Sequence, residues 1–164
     1  MSWVLLSMKN LAGLDQDAVL YEALAPELLG FAVGLVGRND AEDVMASAFA
    51  RSFGAPAWPS VTNRRSYLYR AVFNEAQRLQ RRSALRRDRE ARAAGTNRWE
   101  LPGYQPEVRA AVERLSVRQR AVVLLTYWAD LDPATIAERL ALSEGTVRRH
   151  LARARAQLRK VLDD

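Results

Sequence analysis

Only one stretch of this chain reads as a linker, AAGTNRWELPGYQP at residues 93–106, where Gly95, Pro102, Gly103 and Pro106 break any helical pattern. On both sides of it, apolar residues recur at steps of three and four, and no segment alternates as a strand would. That pattern predicts an all-α chain of two small helical domains, 1–92 and 107–164, joined by the linker 93–106. At 164 residues with 49% hydrophobic side chains, the chain can build a core on each side of that linker. The linker also carries Trp99, Leu101 and Tyr104, apolar residues uncommon in a purely flexible tether.

Capping residues predict the helix starts. In the first half, Asp15 or Asp17 caps a helix bearing Val19, Leu20 and Leu24, with a restart at Pro26 that runs to Gly37. Asp40 caps a helix through Val44, Ala48 and Phe49. Asn63 caps a long helix carrying Leu68, Val72, Ala76 and Leu79, whose apolar stripe gives way to arginines up to Arg92. In the second half, Pro106 opens one helix, Ser116 caps the next, Asp132 with Pro133 opens a short one to Leu140, and Ser143 caps the last.

Charge is distributed unevenly. The net charge of +6 conceals an acidic first segment, with three cationic against seven acidic residues in 1–63, and two basic blocks, ten against three in 64–92 and ten against six in 114–164. Two separate basic surfaces suit a polyanion, and the acidic start suits another task. There is no cysteine, which excludes disulfides, thiolate chemistry and a Cys-ligated zinc site, and suits a reducing cytoplasm. No apolar run reaches the length of a membrane span, so a soluble, cytoplasmic protein without membrane insertion is expected.

The turn LALS between two short helical patterns, with Gly145 and Thr146 opening the second, has the arrangement of a helix-turn-helix, whose second helix enters the DNA major groove. Val147, Leu151, Ala154, Leu158 and Val161 form one apolar stripe on that second helix, leaving Arg148, Arg149, Arg153, Arg155 and Arg159 off it. Arginines near the first turn reach base edges, while Ser143, Thr146 and the free N–H groups meet phosphate.

The segment AAVERLSVRQRAVVLLTYWADLDPATIAERLALSEGTVRRHLARARAQLRKVL resembles region four of a bacterial RNA polymerase sigma factor of the small extracytoplasmic-function type. APELLGFAVGLVGRNDAEDVMASAF followed by SYLYRAVFNEAQRLQRR is similar to region two of the same family. The resemblance covers residues 20–92 and 107–162, with no region three between them.

That resemblance implies a transcription initiation factor that binds core RNA polymerase through its β′ and β subunits, recognises promoter DNA and needs no cofactor. Region four would read the minus-thirty-five element through Ser143, Glu144, Thr146, Arg148, Arg149 and Arg153. Region two would hold flipped bases of the minus-ten element. For that task the loop WPSVTNRRS and the next helix offer aromatic Trp58, Tyr67 and Tyr69, polar Ser60, Thr62 and Asn63, and cationic Arg64 and Arg65. Tyr67 and Tyr69 are two apart on a helix and cannot share a face, so at least one is expected to be exposed; for Trp58, core packing and base stacking both stay open. Asp40, Glu42 and Asp43 match the acidic start of the helix that docks on the β′ coiled coil. An anti-sigma factor that clamps both halves is a further implied partner. The chain departs from its family at 45–48, where small and apolar residues stand for glutamine and glutamate, and at Tyr67 for tryptophan, Phe73 for a polar residue, Arg78 for aspartate and His150 for arginine.

Two other functions compete. An autonomous helix-turn-helix regulator would use the second half alone and leave the first unexplained. A nuclease would need Asp40, Glu42 and Asp43 to converge on a metal ion, which their helical spacing prevents.

Overall fold

Helix α1 (Ser2–Val36) runs without interruption past the expected caps and past Pro26. The computed structural model describes residues 2–89 and 106–162 of the chain. Pro26 removes one backbone donor, but its position is exposed, so the freed carbonyl one turn earlier faces water and the helix continues. Asp15 and Asp17 therefore lie within a helix and cap nothing. The stretch Asp15–Val36 is long and apolar enough to cross a membrane, contrary to the expectation from sequence. Leu28, Phe31, Ala32, Leu35 and Val36 are buried against the other helices, which accounts for its apolar face.

Helix α2 (Arg38–Phe53) begins one residue after α1 ends. Gly37 makes the turn with φ 85°, a conformation that disfavours residues with a Cβ, and it takes the N-cap position expected of Asp40. Asp40 instead sits in the first turn, where a carboxylate meets the positive end of the helix dipole. A short 3-10 turn at Trp58–Ser60 leads into α3 (Arg64–Arg89), capped as expected by Asn63, whose Oδ1 accepts from the Ser66 amide at 3.0 Å.

In the second half α4 (Pro106–Glu113), α5 (Val117–Tyr127), α6 (Pro133–Leu140) and α7 (Glu144–Leu162) pack around Leu115, Val122, Leu125, Ile136, Leu140 and Val147. The caps fall where the sequence places them. Ser116 and Gln119 form a reciprocal capping box, Asp132 accepts from the Thr135 amide at 2.9 Å, and Ser143 accepts from the Thr146 amide at 3.2 Å. Residues 93–105 of the expected linker, with Trp99, Leu101 and Tyr104, lie outside the described residues.

The two groups of helices share one apolar cluster. Helix α5 crosses α1 at Gly34, and α3 lies along α5 and α6. Phe73, where the resembled sequences were expected to carry a polar residue, is buried in the core of the first half.

Candidate nucleic-acid interface

The turn between α6 and α7 is built from backbone geometry. Ala141 takes a left-handed conformation (φ 51°, ψ 49°). Its amide donates to the Glu138 carbonyl at 3.3 Å and the Leu142 amide to Ala137 at 2.9 Å, the paired bonds of a Schellman ending. The chain leaves α6 sharply, and Ser143 starts α7 two residues later. Val147, Leu151 and Ala154 are buried and Leu158 half-buried, whereas Arg148, Arg149, Arg153, Arg155 and Arg159 are exposed. The predicted division of this helix into an apolar stripe and an arginine face holds for these side chains, and that of Val161 lies outside the described ones.

Those arginines differ in their attachments. Arg148 pairs with Glu144 one turn earlier. Arg155 donates to the Tyr127 hydroxyl at 2.7 Å and lies over its ring, on the side toward α5. Arg149 and Arg153 flank His150, which is half-buried; burial and then the charges of Arg118, Arg153 and Arg149 hold its imidazole below the usual range. His150 is thus neutral near pH 7 and adds no charge to this face.

The loop between α2 and α3 is organised around Trp58. Its indole is buried, its Nε1 donates to Asp17 Oδ1 at 2.9 Å, and Arg64 lies over its ring at 5.0 Å while pairing with Asp17 at 3.6 Å. An aromatic series, Tyr21, Phe49, Phe53, Trp58 and Tyr67, continues through contacts of 4.8–5.6 Å between ring centroids. Trp58 is a core residue here and offers no free face for a base. Tyr69 is buried as well, against Phe31, and its hydroxyl donates to Glu27. Tyr67 is half-buried, so neither tyrosine is fully exposed: Tyr69 turns toward α1 and Tyr67 toward Trp58. Ser60, Thr62, Asn63 and Arg65 remain on the surface.

Of the two α1 carboxylates that hold Arg65 and Arg64, Glu27 was not singled out in the sequence and Asp17 was read only as a candidate helix cap. Their partners are 38 and 47 positions away, beyond the reach of periodicity. Asp40, Glu42 and Asp43 lie on the first turns of α2, with Glu42 and Asp43 exposed. A second polar assembly joins α2 to α3, where the buried Glu75 meets both Arg51 and Arg78 beside a cavity of about 220 Å³ lined in part by Tyr67, Arg70 and Asn74.

Residues 106–158 match the family described as Sigma-70, region 4. Over 130 residues the chain is 29% identical to the RNA polymerase sigma-E factor of Streptomyces antibioticus, covering 76% of this chain and 71% of that one. It is 28% identical over 129 residues to the sigma-E factor of Streptomyces coelicolor, covering 75% and 72%. Among solved structures, the sigma factor RpoE in complex with the anti-sigma factor NepR from Bartonella quintana superposes with a TM-score of 0.70 at 19% identity, over 89% of this chain and 96% of that one.

Proposed function

We propose, from the premise that this chain is an RNA polymerase sigma factor of the extracytoplasmic-function type, how its own residues divide the work of promoter recognition. The protein directs core RNA polymerase to specific promoters and takes part in transcription initiation; it has no need of catalytic chemistry of its own. The observation that carries the reading is α7, which buries Val147, Leu151 and Ala154 and turns Arg148, Arg149 and Arg153 outward beside a capped turn.

In this reading α7 lies in the major groove at the minus-thirty-five element. Arg148, Arg149 and Arg153 supply base and phosphate contacts, Ser143 and Thr146 add phosphate contacts at the helix start, and Glu144 orients Arg148. At the minus-ten element, Ser60, Thr62, Asn63, Arg64 and Arg65 grip the unpaired strand, with Tyr67 at the edge of the site. Trp58 and Tyr69 support that loop from beneath. Holding an unstacked base is worth about 1–3 kcal/mol, comparable with the cost of flipping it, so binding energy can drive local opening. Asp40, Glu42 and Asp43 dock on the β′ coiled coil. The protein acts in the cytoplasm, and an anti-sigma factor is a further partner, as in the complex of the Bartonella relative.

The test is transcription from a genomic template pool by core polymerase, with and without the protein. Discrete new start sites that disappear in the Arg148→Ala/Arg149→Ala variant support the reading. Tight sequence-specific binding by the protein alone, without new starts, would transfer the assignment to an autonomous regulator.

A further inference from the structure

The cavity between α2 and α3 is open because small side chains meet there. Ala48 of α2 and Ala71 of α3 line it together with Ser52, whose hydroxyl turns back to donate to the Ala48 carbonyl at 2.7 Å. Longer side chains at these three places would fill the space. With three residues this small, about 220 Å³ stays open.

The rest of the lining is charged and planar. Glu75 is buried in the wall, and Arg51 and Arg78 both reach it through the same oxygen, Oε1, at 2.9 and 2.7 Å. Those two arginines are half in water, so their far ends are at the mouth of the cavity. At the other end Arg70 lies 5.3 Å from the centre of the Tyr67 ring, which holds its guanidinium plane beside the opening. Three arginines against one glutamate leave the cavity with a net charge of +2. Arg78 stands where the resembled sequences were expected to carry aspartate, and a carboxylate there would face Glu75 with a like charge.

A ligand for this cavity has to satisfy opposite demands. It must present donors to a buried carboxylate and, a few ångströms away, acceptors and negative charge to guanidiniums. An inorganic anion meets only the second. Among the nucleobases, guanine alone carries two adjacent N–H donors, N1–H and N2–H, on the edge that a carboxylate can accept as a pair, with O6 beside them for an arginine. Adenine and cytosine set a ring-nitrogen acceptor next to their amino group, and thymine and uracil flank their N–H with two carbonyls; each of these turns a lone pair toward Glu75. A phosphate monoester brings about −1.5 to −2 charge near pH 7, which matches the arginines. The volume lies below the roughly 300 Å³ at which pockets for drug-sized ligands begin, so it takes a base and leaves the phosphate at the mouth.

We propose that the cavity between α2 and α3 is a binding site for a free guanine nucleotide. Glu75 accepts from N1–H and N2–H, Arg78 donates to O6 while keeping its bond to Glu75, Arg51 meets the phosphate, and the base stacks on the Arg70 guanidinium plane. This site goes beyond the sigma-factor reading and does not depend on it.

Equilibrium dialysis of the full chain against labelled GMP, AMP, IMP and inorganic phosphate, at about 0.15 M salt to screen the exposed arginines, tests the assignment. GMP should bind at least tenfold more tightly than AMP or phosphate, and IMP, which lacks the N2 amine, should lose about tenfold against GMP. Glu75→Gln should abolish the preference for GMP and leave AMP binding unchanged, because an amide offers one acceptor where the carboxylate offers two. If that variant does not fold, the comparison of IMP with GMP on the parent decides alone. Equal affinities for GMP, AMP and phosphate would reduce the cavity to a patch of positive charge and overturn the proposal. Guanine recognition seen only when the base lies within a single-stranded oligonucleotide, and lost in Glu75→Gln, would overturn it as well, since the ligand would then be a strand and not a free nucleotide.

Discussion

The Arg51 guanidinium reaches from α2 to the Glu75 carboxylate on α3 at 2.9 Å, and Arg78 approaches the same oxygen from within α3 at 2.7 Å. Glu75 is only 7% exposed at its side chain, whereas the two arginines are half in water. Removing one arginine leaves the carboxylate a partner; removing both leaves a buried charge without either. Arg51→Ala and Arg78→Ala should each cost under about 1 kcal/mol, while the double variant should cost about 2–3 kcal/mol. Urea titrations of the three proteins measure this coupling, and strict additivity would show that the two arginines act independently of Glu75.

Asp17 holds the loop of the first half from a distance of 41 residues, by accepting from the buried Trp58 indole and pairing with Arg64. Asp17→Ala strands the indole N–H in an apolar cluster, at a cost of about 1–3 kcal/mol. It also frees Arg64 to move. We expect lower stability together with weaker binding of a single-stranded minus-ten oligonucleotide. A stability loss with binding intact would mean that Trp58 and Arg64 do not shape the strand-binding loop.

The second half was legible in the sequence because its signals are local. Ser116 with Gln119, Asp132 with Pro133, and Ser143 with Thr146 lie within one helical turn of what they cap, and the stripe of Val147, Leu151 and Ala154 needs only the helical period. The first half was harder. Pro26 reads as a break, but an exposed proline in a long helix loses one hydrogen bond without ending it, and Gly37 took the cap expected of Asp40 because the α1–α2 turn leaves no room for a loop. Tertiary contacts such as Glu27 with Arg65, or Asn63 with Glu138, have no sequence signature at all. One signal was present and unread: the glycines in GFAVGLVG include Gly34, where a Cβ would run into the Leu124 side chain.

Glu27 gives the fold an acid-sensitive component. Burial works to raise its pKa, but hydrogen bonds from Arg65 and Tyr69 and the charges of Arg65 and Arg139 outweigh it, holding the carboxyl below its ordinary value of 4.5. A carboxyl depressed in the folded state stabilises fully above its unfolded pKa, and that contribution disappears as pH falls through the folded value. The contribution is therefore complete at pH 7 and is lost below about pH 4.5. Stability measured by urea unfolding between pH 7 and pH 3 should fall less steeply for Glu27→Gln than for the parent. Identical acid limbs would show that Glu27 does not bind its cations more strongly in the folded chain.

Ala141 is the least comfortable residue in the turn between α6 and α7. Its left-handed backbone brings Cβ against the neighbouring carbonyl, at about 1–2 kcal/mol for a non-glycine residue. Ala141→Gly removes that strain but gives the unfolded chain more freedom, which offsets roughly 0.5–1 kcal/mol of the gain. The net stabilisation should be about 0.5–1 kcal/mol, or a Tm rise of about 1–4 °C in a chain of this length. Ala141→Val should move Tm the other way, because a β-branched side chain fits the left-handed region less well still. Ala141 is exposed and lies outside the proposed DNA contacts, so minus-thirty-five affinity should stay the same in the glycine variant. A fall in Tm on substitution with glycine would mean that the strain at this turn is smaller than the entropy glycine adds to the unfolded chain.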